Sequence, residues 1–288
     1  MTIAAVAGPP KVRRRWKQPS ILPGFGLAMG WTLTYLGLLL VLPLAALILR
    51  PWELGLDGVW ATLTEPRVLS ALRLSFGAAA AAALANVPLG LLVAWTLTRY
   101  EFPGRRVLDA FVDLPFALPT AVAGIALTAI YAPTGTLGEP LAALGIRTAY
   151  NPIGVFIALV FIGLPFVVRT VQPVLEDMDA EVEEAALTLG ATHLQRFWRV
   201  VLPGLAPALL SGFSLAFARA VGEYGSVIFI AGNMPLKSEI APLLIVIKLE
   251  QYDYAGAAAV GLAMLVISFG ALLAVNALQV FLARRGRA

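Results

Sequence analysis

Arg219 and Glu223 are the residues whose types and spacing most directly suggest chemistry, because both are ionisable and both stand in a long apolar stretch. Their separation by four positions would place both side chains on one face of a helix. Arg219 follows Pro203 by sixteen positions, which is roughly 24 Å of helix at about 1.5 Å per residue. An unpaired charge that deep in a bilayer costs about 3 kcal/mol or more. With the adjacent Tyr224, the pair is a candidate for ion passage or for the support of a gate.

The segment 176–202 is the second polar feature, and it separates two long apolar stretches. Gly190 can adopt the left-handed conformation that ends a helix, and Thr192 and Gln195 have the spacing of a capping box that starts the next one. The segment therefore predicts a helix–turn–helix on a membrane surface, and its plainest interpretation is an amphipathic connector without a partner. Its acidic residues are expected at the start of the first helix, where the macrodipole favours them: Glu176, Asp177, Asp179, Glu181, Glu183 and Glu184.

Several other kinds of site are not predicted. The sequence has no cysteine and a single histidine, His193, so we expect neither a thiol nucleophile nor a metal site built on cysteine or histidine. No glycine pattern of the P-loop type precedes a lysine, so ATP binding by that motif is not expected. The basic run near residues 11–17 is explained by membrane topology and anionic lipid rather than by nucleic acid. We therefore predict no catalytic residue, cofactor or metal in this chain.

Burial in a membrane explains the composition. Of the 288 residues, 59% are hydrophobic and 13% are charged, whereas a soluble domain carries about a quarter charged residues. Six apolar stretches are each long enough to cross about 30 Å of hydrocarbon: residues 25–49, 71–97, 111–131, 151–175, 203–231 and 254–282. The sequence predicts an all-α integral membrane protein with six transmembrane helices over residues 25–282, a basic tail at 1–24 and a short tail at 283–288.

Small residues and prolines indicate how these spans pack. Ala78 to Ala83 form one run in the second span, and side chains of this size suit contact with other helices better than contact with lipid. Prolines at 88, 115, 119, 165, 207 and 242 are expected to bend or interrupt helices, which is tolerated where neighbours satisfy the freed carbonyl groups.

The distribution of basic residues predicts the orientation. If the N-terminus lies inside, fourteen lysines and arginines fall on the inner segments and six on the outer ones. Inner loops of membrane proteins carry the excess of positive charge. We therefore expect both termini and the segment 176–202 on the cytoplasmic side of the membrane.

The segment 176–202 resembles the EAA loop of ABC-importer permeases, the surface on which the cytoplasmic ATPase docks. The family pattern is filled at every position, with valine in place of the commoner isoleucine: Glu184, Ala185, Ala186, Gly190, Val200, Leu202 and Pro203. The resemblance implies a coupling helix around residues 184–190 of a MetI-like bundle. Ala185 and Ala186 would then allow close docking in an ATPase groove, and Glu184 would supply a carboxylate for polar contacts there.

Other runs resemble the sulfate/thiosulfate permeases of the CysT type. These are residues 114–124, 163–173 and 218–233, the last of which includes Arg219-Ala220-Val221-Gly222-Glu223 followed by Tyr224-Gly225-Ser226-Val227-Ile228. Molybdate permeases share the first part of this run and usually continue with Phe-Gly-Ala, so the sequence after Glu223 favours sulfate. The resemblance implies transport without bond chemistry and a heterodimer with a CysW-type permease. It also implies two CysA-type ATPases that carry ATP and magnesium, and a periplasmic sulfate-binding protein.

Within that resemblance, two interpretations of the charge pair stay open. Arg219 would help a dianion through a pore at the subunit interface, with Glu223 preventing tight binding, because a deep well slows the exit of an ion. Otherwise the pair is a neutralised strut that fixes its helix and supports a gate. Spans three to five are expected to line the pathway. A molybdate or tungstate permease and, in another class, an ion-coupled secondary transporter are the alternative functions.

Overall fold

The computed structural model describes residues 24–285, with side chains as far as residue 279. The described residues fall into two compact units that divide between Ala46 and Leu47. Every regular element in the described part of the chain is helical, which confirms the all-α class. The first unit contains α1 (Phe25–Leu36), a π-helical turn (Gly37–Val41) and the start of α2 (Leu42–Leu49).

The second unit continues with a 3-10 turn and thirteen further α-helices within the described residues. The 3-10 turn is Arg50–Leu54, and a second π-helical turn is Phe197–Val201. The helices are α3 (Gly55–Thr64), α4 (Pro66–Arg99), α5 (Arg105–Val112), α6 (Leu114–Ala117), α7 (Thr120–Tyr131), α8 (Gly138–Ala143), α9 (Pro152–Glu176), α10 (Ala180–Thr188), α11 (His193–Arg196), α12 (Leu202–Val221), α13 (Val227–Ile230), α14 (Ala241–Glu250) and α15 (Tyr254–Arg285).

Five helical stretches of the described chain are long and apolar enough to cross a membrane. They are Phe25–Thr64, Pro66–Arg99, Pro152–Glu176, His193–Val221 and Tyr254–Gln279. Each overlaps one of the predicted spans, namely the first, second, fourth, fifth and sixth. These five helical stretches confirm the predicted class of integral membrane protein.

The third predicted span, 111–131, differs from the structure because it is divided rather than continuous. Helix α6 ends at Ala117, Leu118 is extended, and α7 begins after Pro119. A proline restricts the preceding residue to extended conformations and has no N–H to donate, so Pro119 ends one helix and starts the next. Helix α7 has 12 residues, which is only about 18 Å of helix.

Helices α4, α9 and α12 form the centre of the second unit and pack directly on one another. Gly90 of α4 lies against Val167 of α9, where an added Cβ would come within 2.6 Å of Val167 Cγ1. Gly212 of α12 approaches the same residue, and a Cβ added there would lie 3.0 Å from Val167 Cα. Alanines of the run 78–83 add to this contact, since Ala79, Ala82 and Ala83 are buried. Small side chains therefore allow three backbones to meet, as the alanine run predicted.

Asn86 of α4 lies in the same contact region and is completely buried. A Cβ at Gly163 of α9 would be 2.5 Å from the amide nitrogen of Asn86, so the glycine makes room for this side chain. Neither the amide nitrogen nor the amide oxygen has a hydrogen-bond partner within the described chain. Leaving a buried polar group unpaired costs about 1–3 kcal/mol, which the packing of the three helices has to offset.

The N-terminal end of α4 is tied to the loop that precedes α14. Arg67 donates two hydrogen bonds to the buried Glu239, from Nε to Oε2 at 2.8 Å and from Nη2 to Oε1 at 2.7 Å. Ser75 Oγ accepts from the backbone N–H of Ala241 at 2.8 Å, and Ser70 Oγ donates to the carbonyl of Leu236 at 3.0 Å. A forked arginine–carboxylate pair fixes geometry as well as charge, so this loop has a defined position on α4.

We expect Gly90→Ala to lower the stability of the bundle by about 1–3 kcal/mol, because overpacking pushes α4 away from α9. Gly77→Ala is the matched control on the same helix, since a Cβ there meets nothing within 4 Å. Thermal unfolding of the detergent-solubilised protein, followed by size-exclusion fluorescence, measures the difference. Equal unfolding temperatures for the two variants would contradict the close contact at Gly90.

Candidate functional site

The segment 176–202 forms the predicted helix–turn–helix from α10, a turn and α11. The turn is a Schellman motif, in which the N–H of Gly190 donates to Leu187 O at 2.9 Å and that of Ala191 to Ala186 O at 3.0 Å. Gly190 has φ +81°, a left-handed conformation that glycine adopts without strain. The predicted left-handed end of the helix is confirmed.

The capping box at the start of α11 is also present. The N–H of Gln195 donates to Thr192 Oγ1 at 3.3 Å, and the N–H of Thr192 donates to Gln195 Oε1 at 2.9 Å. The prediction that all six acidic residues lie at the start of one helix is wrong for Glu176 and Asp177. Glu176 is the last residue of α9, and Asp177 follows it. Glu181 and Glu183 do occupy the first turn of α10.

The first four residues of the EAA pattern lie at the surface of the helix–turn–helix, whereas Val200 and Leu202 are half-buried. Glu184, Ala185 and Gly190 are exposed, and Ala186 is half-buried. Large apolar side chains surround them: Val182, Leu187, Leu189 and Leu194 are 54%, 41%, 88% and 68% exposed. We call Glu184, Ala185, Ala186 and Gly190, with these four apolar residues, the coupling surface. Exposed apolar groups in one place are typical of a protein–protein contact.

Glu183 is a functional candidate that the sequence did not single out. It is only 7% exposed, whereas its neighbour Glu184 faces solvent. Its Oε1 accepts a hydrogen bond from Nη2 of Arg99, the last residue of α4, and its Oε2 lies 3.7 Å from Nε of Arg196. Successive residues of a helix point about 100° apart, so adjacent acids cannot share one direction. This geometry is the indication in the sequence that Glu183 and Glu184 face different surroundings. Nothing in the sequence indicates that Glu183 pairs with Arg99, which lies 84 positions earlier.

Aromatic side chains pack beside this ion pair. The guanidinium carbon of Arg99 lies 5.4 Å from the centre of the Trp95 ring, and Trp95 meets Phe197 edge-on with ring centres 5.9 Å apart. Phe197 is half-buried and Trp198 is 59% exposed, and an exposed tryptophan next to a membrane-spanning helix suits the membrane–water interface. Both line an apolar groove of about 750 Å³ between α4 and α12.

Arg219 and Glu223 are brought together as predicted, because Arg219 Nη1 donates to Glu223 Oε2. Their setting differs from the prediction of one continuous fifth span, since α12 ends at Val221 and Glu223 lies in the turn that follows. Glu223 is 3% exposed, and its Oε1 accepts from the N–H and from Oγ of Ser226, both at 3.0 Å. The pair therefore joins the last turn of a helix to the break beyond it.

The break after α12 meets the break in the third predicted span. An added Cβ at Gly225 would lie 2.2 Å from Thr120 Oγ1, and one at Gly124 would lie 2.4 Å from Ser226 O. Tyr224 is half-buried here, and its carbonyl accepts from the N–H of Ile228 at 3.0 Å at the start of α13. Two interrupted spans thus touch next to the charge pair, and irregular backbone at membrane depth is tolerated where it is buried in protein or lines a cavity.

Arg169 of α9 holds α5 in place, a role the sequence did not predict. It donates to Asp113 from Nε at 2.9 Å and from Nη2 at 2.6 Å, and from Nη1 to Asp109 Oδ1 at 2.6 Å. Asp109 and Asp113 are four positions apart, so they share one face of α5 and its end. That spacing could have indicated a basic partner, although not which one.

The described residues contain no group of three or more side chains suited to holding a metal ion. The interactions at the coupling surface and at the charge pair are hydrogen bonds, ion pairs and apolar contacts. Such an arrangement can dock a partner and can fix or release helix ends.

Comparison with known proteins assigns the family. Residues 86–288 match the family described as binding-protein-dependent transport system inner membrane component. The chain is 51% identical over 248 residues to the sulfate transport system permease protein CysT of Synechocystis sp., covering 86% of this chain and 87% of that protein. It is 47% identical over 265 residues to the Escherichia coli protein of the same name, covering 92% and 96%.

Solved structures support the same fold. A bacterial ABC transporter involved in the import of alginate superposes with a TM-score of 0.73 at 17% identity, over 88% of this chain and 94% of that one. The MetNI methionine ABC transporter superposes with a TM-score of 0.54 at 16% identity, over 75% and 94%. The fold is that of a MetI-like ABC-importer permease, and the resemblance noted in the sequence is confirmed. The chain belongs to the family of binding-protein-dependent transport system inner membrane components.

Proposed function

We propose that this chain is a transmembrane permease subunit of an ATP-driven ABC importer that carries sulfate or thiosulfate across the bacterial inner membrane. The similarity to CysT proteins over most of the chain supports the substrate class. The observation that carries the mechanism is the coupling surface, in which Glu184, Ala185 and Gly190 are exposed beside large apolar side chains on a capped helix–turn–helix. Both termini and this surface are assigned to the cytoplasm, where most basic residues would lie.

The partners follow from the same proposal. The coupling surface receives one of two CysA-type ATPases, which carry ATP and magnesium, and Glu184 meets polar groups in the ATPase groove. Ala185 and the half-buried Ala186 allow a close approach because they add little volume. A CysW-type permease completes the pathway, and a periplasmic sulfate-binding protein delivers the ion.

The charge pair supports a gate rather than a binding site for the ion. Glu223 receives three hydrogen bonds, from Arg219 and from two groups of Ser226, so its charge is well satisfied. Those bonds fix the turn that contacts Thr120 at the start of α7. The side chain of Arg219 is 36% exposed, which leaves direct contact with sulfate as the second possibility. Spans three to five would line the pathway around these breaks.

Uptake of labelled sulfate into proteoliposomes that hold the assembled complex tests the function. We expect ATP-dependent uptake that thiosulfate inhibits, and a loss of at least about tenfold in Gly190→Asp, because a side chain at positive φ strains the turn under the coupling surface. Gly145→Asp is the matched control, since Gly145 is also exposed, has φ +80° and would place its Cβ in open space.

Each other result of this assay has a definite meaning. Inhibition chiefly by molybdate or tungstate would keep the importer and replace the substrate. Uptake that an ion gradient drives without ATP, and that Gly190→Asp leaves intact, would overturn the proposal in favour of a secondary transporter.

The charge pair is tested by removing one charge and then both. We expect Arg219→Gln and Glu223→Gln each to reduce uptake by about tenfold or more, because the first leaves the buried Glu223 without its cation and the second removes the anion that pairs with Arg219. The double variant should regain stability and much of the uptake if the pair supports a gate, since interacting residues are not additive. A double variant that assembles with normal thermal stability and stays inactive would show that Arg219 itself contacts the ion.

A further inference from the structure

Two neighbouring acids of α10 point in different directions, and only one of them is free for a partner. Glu184 is exposed in the coupling surface, whereas Glu183 is 7% exposed and faces the rest of the unit. A buried carboxylate has to be paired, because its desolvation costs several kcal/mol. Its position is therefore set by the residues that pair with it.

The two partners of Glu183 come from two separate elements. Arg99 is the last residue of α4 and donates from Nη2 to Oε1. Arg196 belongs to α11, and its Nε lies 3.7 Å from Oε2 of the same carboxylate. One side chain therefore joins the coupling helix to a membrane-spanning helix and to the helix beyond the turn.

Arg99 also contacts an aromatic side chain of its own helix, although its buried Nε has no hydrogen-bond partner within the described chain. Its guanidinium lies on the ring of Trp95, one turn earlier, with 5.4 Å to the ring centre. Trp95 in turn contacts Phe197. Farther along the same helix, Gly90 meets Val167 of α9. A displacement of Arg99 is thus passed to the contact of α4, α9 and α12.

The backbone connects α10 to its neighbours in sequence, α9 and α11, and makes no direct connection to α4. The chain leaves α9 through residues 177–179 and reaches α11 through residues 189–192, and neither link is helical throughout. The side chain of Glu183 adds a direct link from α10 to α4 that the backbone does not provide.

We propose that Glu183 is a positioning residue that ties α10 to α4 through Arg99, so that movement of a docked ATPase reaches the membrane-spanning helices. The inference rests on the proposed function, in which Glu184 and its exposed neighbours receive the ATPase. Glu184 contacts the docked ATPase, and Glu183 transmits the displacement of α10 to α4. Arg196 keeps α11 aligned with α10 during that displacement.

The experiment measures ATP hydrolysis and sulfate uptake together in proteoliposomes that hold the assembled complex. In Glu183→Gln we expect hydrolysis to continue and uptake to fall at least about tenfold, so that less sulfate enters for each ATP hydrolysed. Glu181→Gln is the matched control, because Glu181 also lies in the first turn of α10 but is exposed and has no ion pair within the described chain. We expect that variant to keep the wild-type ratio of uptake to hydrolysis.

A covalent replacement of the ion pair separates coupling from folding. The sequence has no cysteine, so Arg99→Cys and Glu183→Cys can be combined and bridged with a bis-maleimide after assembly with cysteine-free partners. We expect the unbridged double variant to hydrolyse ATP without efficient uptake and the bridged one to regain several-fold more uptake per ATP. Each single cysteine variant treated in the same way should show no gain.

The outcomes distinguish this inference from the function on which it rests. Wild-type complex without ATP-dependent sulfate uptake would overturn the proposed function. A wild-type ratio in Glu183→Gln, with the wild-type complex active, would overturn the role of Glu183 alone. If Glu183→Gln fails to copurify with its partners, Arg99→Gln is measured in the same way: it removes the positive charge and the Nη2 donor that bind Glu183, and an unchanged ratio of uptake to hydrolysis in it overturns the inference.

Discussion

The contact of α4, α9 and α12 around Val167 is the constraint on which the rest of the second unit depends. Lipid chains are as apolar as leucine, so helices in a membrane gain little from burying large apolar groups and rely on close packing. Gly90 and Gly212 both reach Val167, and a methyl group at either position would come within 3.0 Å of it or closer. This contact holds three long helices at fixed positions. It therefore also determines the positions of Arg99 on α4, of Arg169 on α9 and of Glu223 just beyond α12.

Charged side chains then attach the shorter elements to these three helices. Arg169 of α9 holds α5 through two aspartates, and Glu223 holds the break after α12. Each pair joins groups that would be costly to leave alone in a partly buried position. These ion pairs add little to the free energy of unfolding. Their main effect is to give each short helix one defined position.

Local patterns in the sequence predicted local structure well. Gly190, Thr192 and Gln195 predicted the end of α10 and the start of α11, because left-handed turns and capping boxes depend on neighbouring residues only. The limits of the third and fifth spans were less well predicted. Hydropathy continues across Pro119 and Gly222 although the helix stops there, since a bilayer selects for apolar side chains and not for unbroken backbone. Glu183 was missed because its burial depends on Arg99, 84 positions away in the chain. Helical geometry separates the directions of Glu183 and Glu184 but does not show which of the two is buried.

Helix α4 is held at both termini and near its middle. It runs unbroken from Pro66 to Arg99, about 51 Å at the usual rise, with Arg67 bound to Glu239 at one end and Arg99 bound to Glu183 at the other. A helix bound at both ends in this way resists sliding along its own axis. Pro88 lies inside it and has no backbone N–H to donate, so a load on either end would tilt α4 or bend it at this point rather than move it lengthwise.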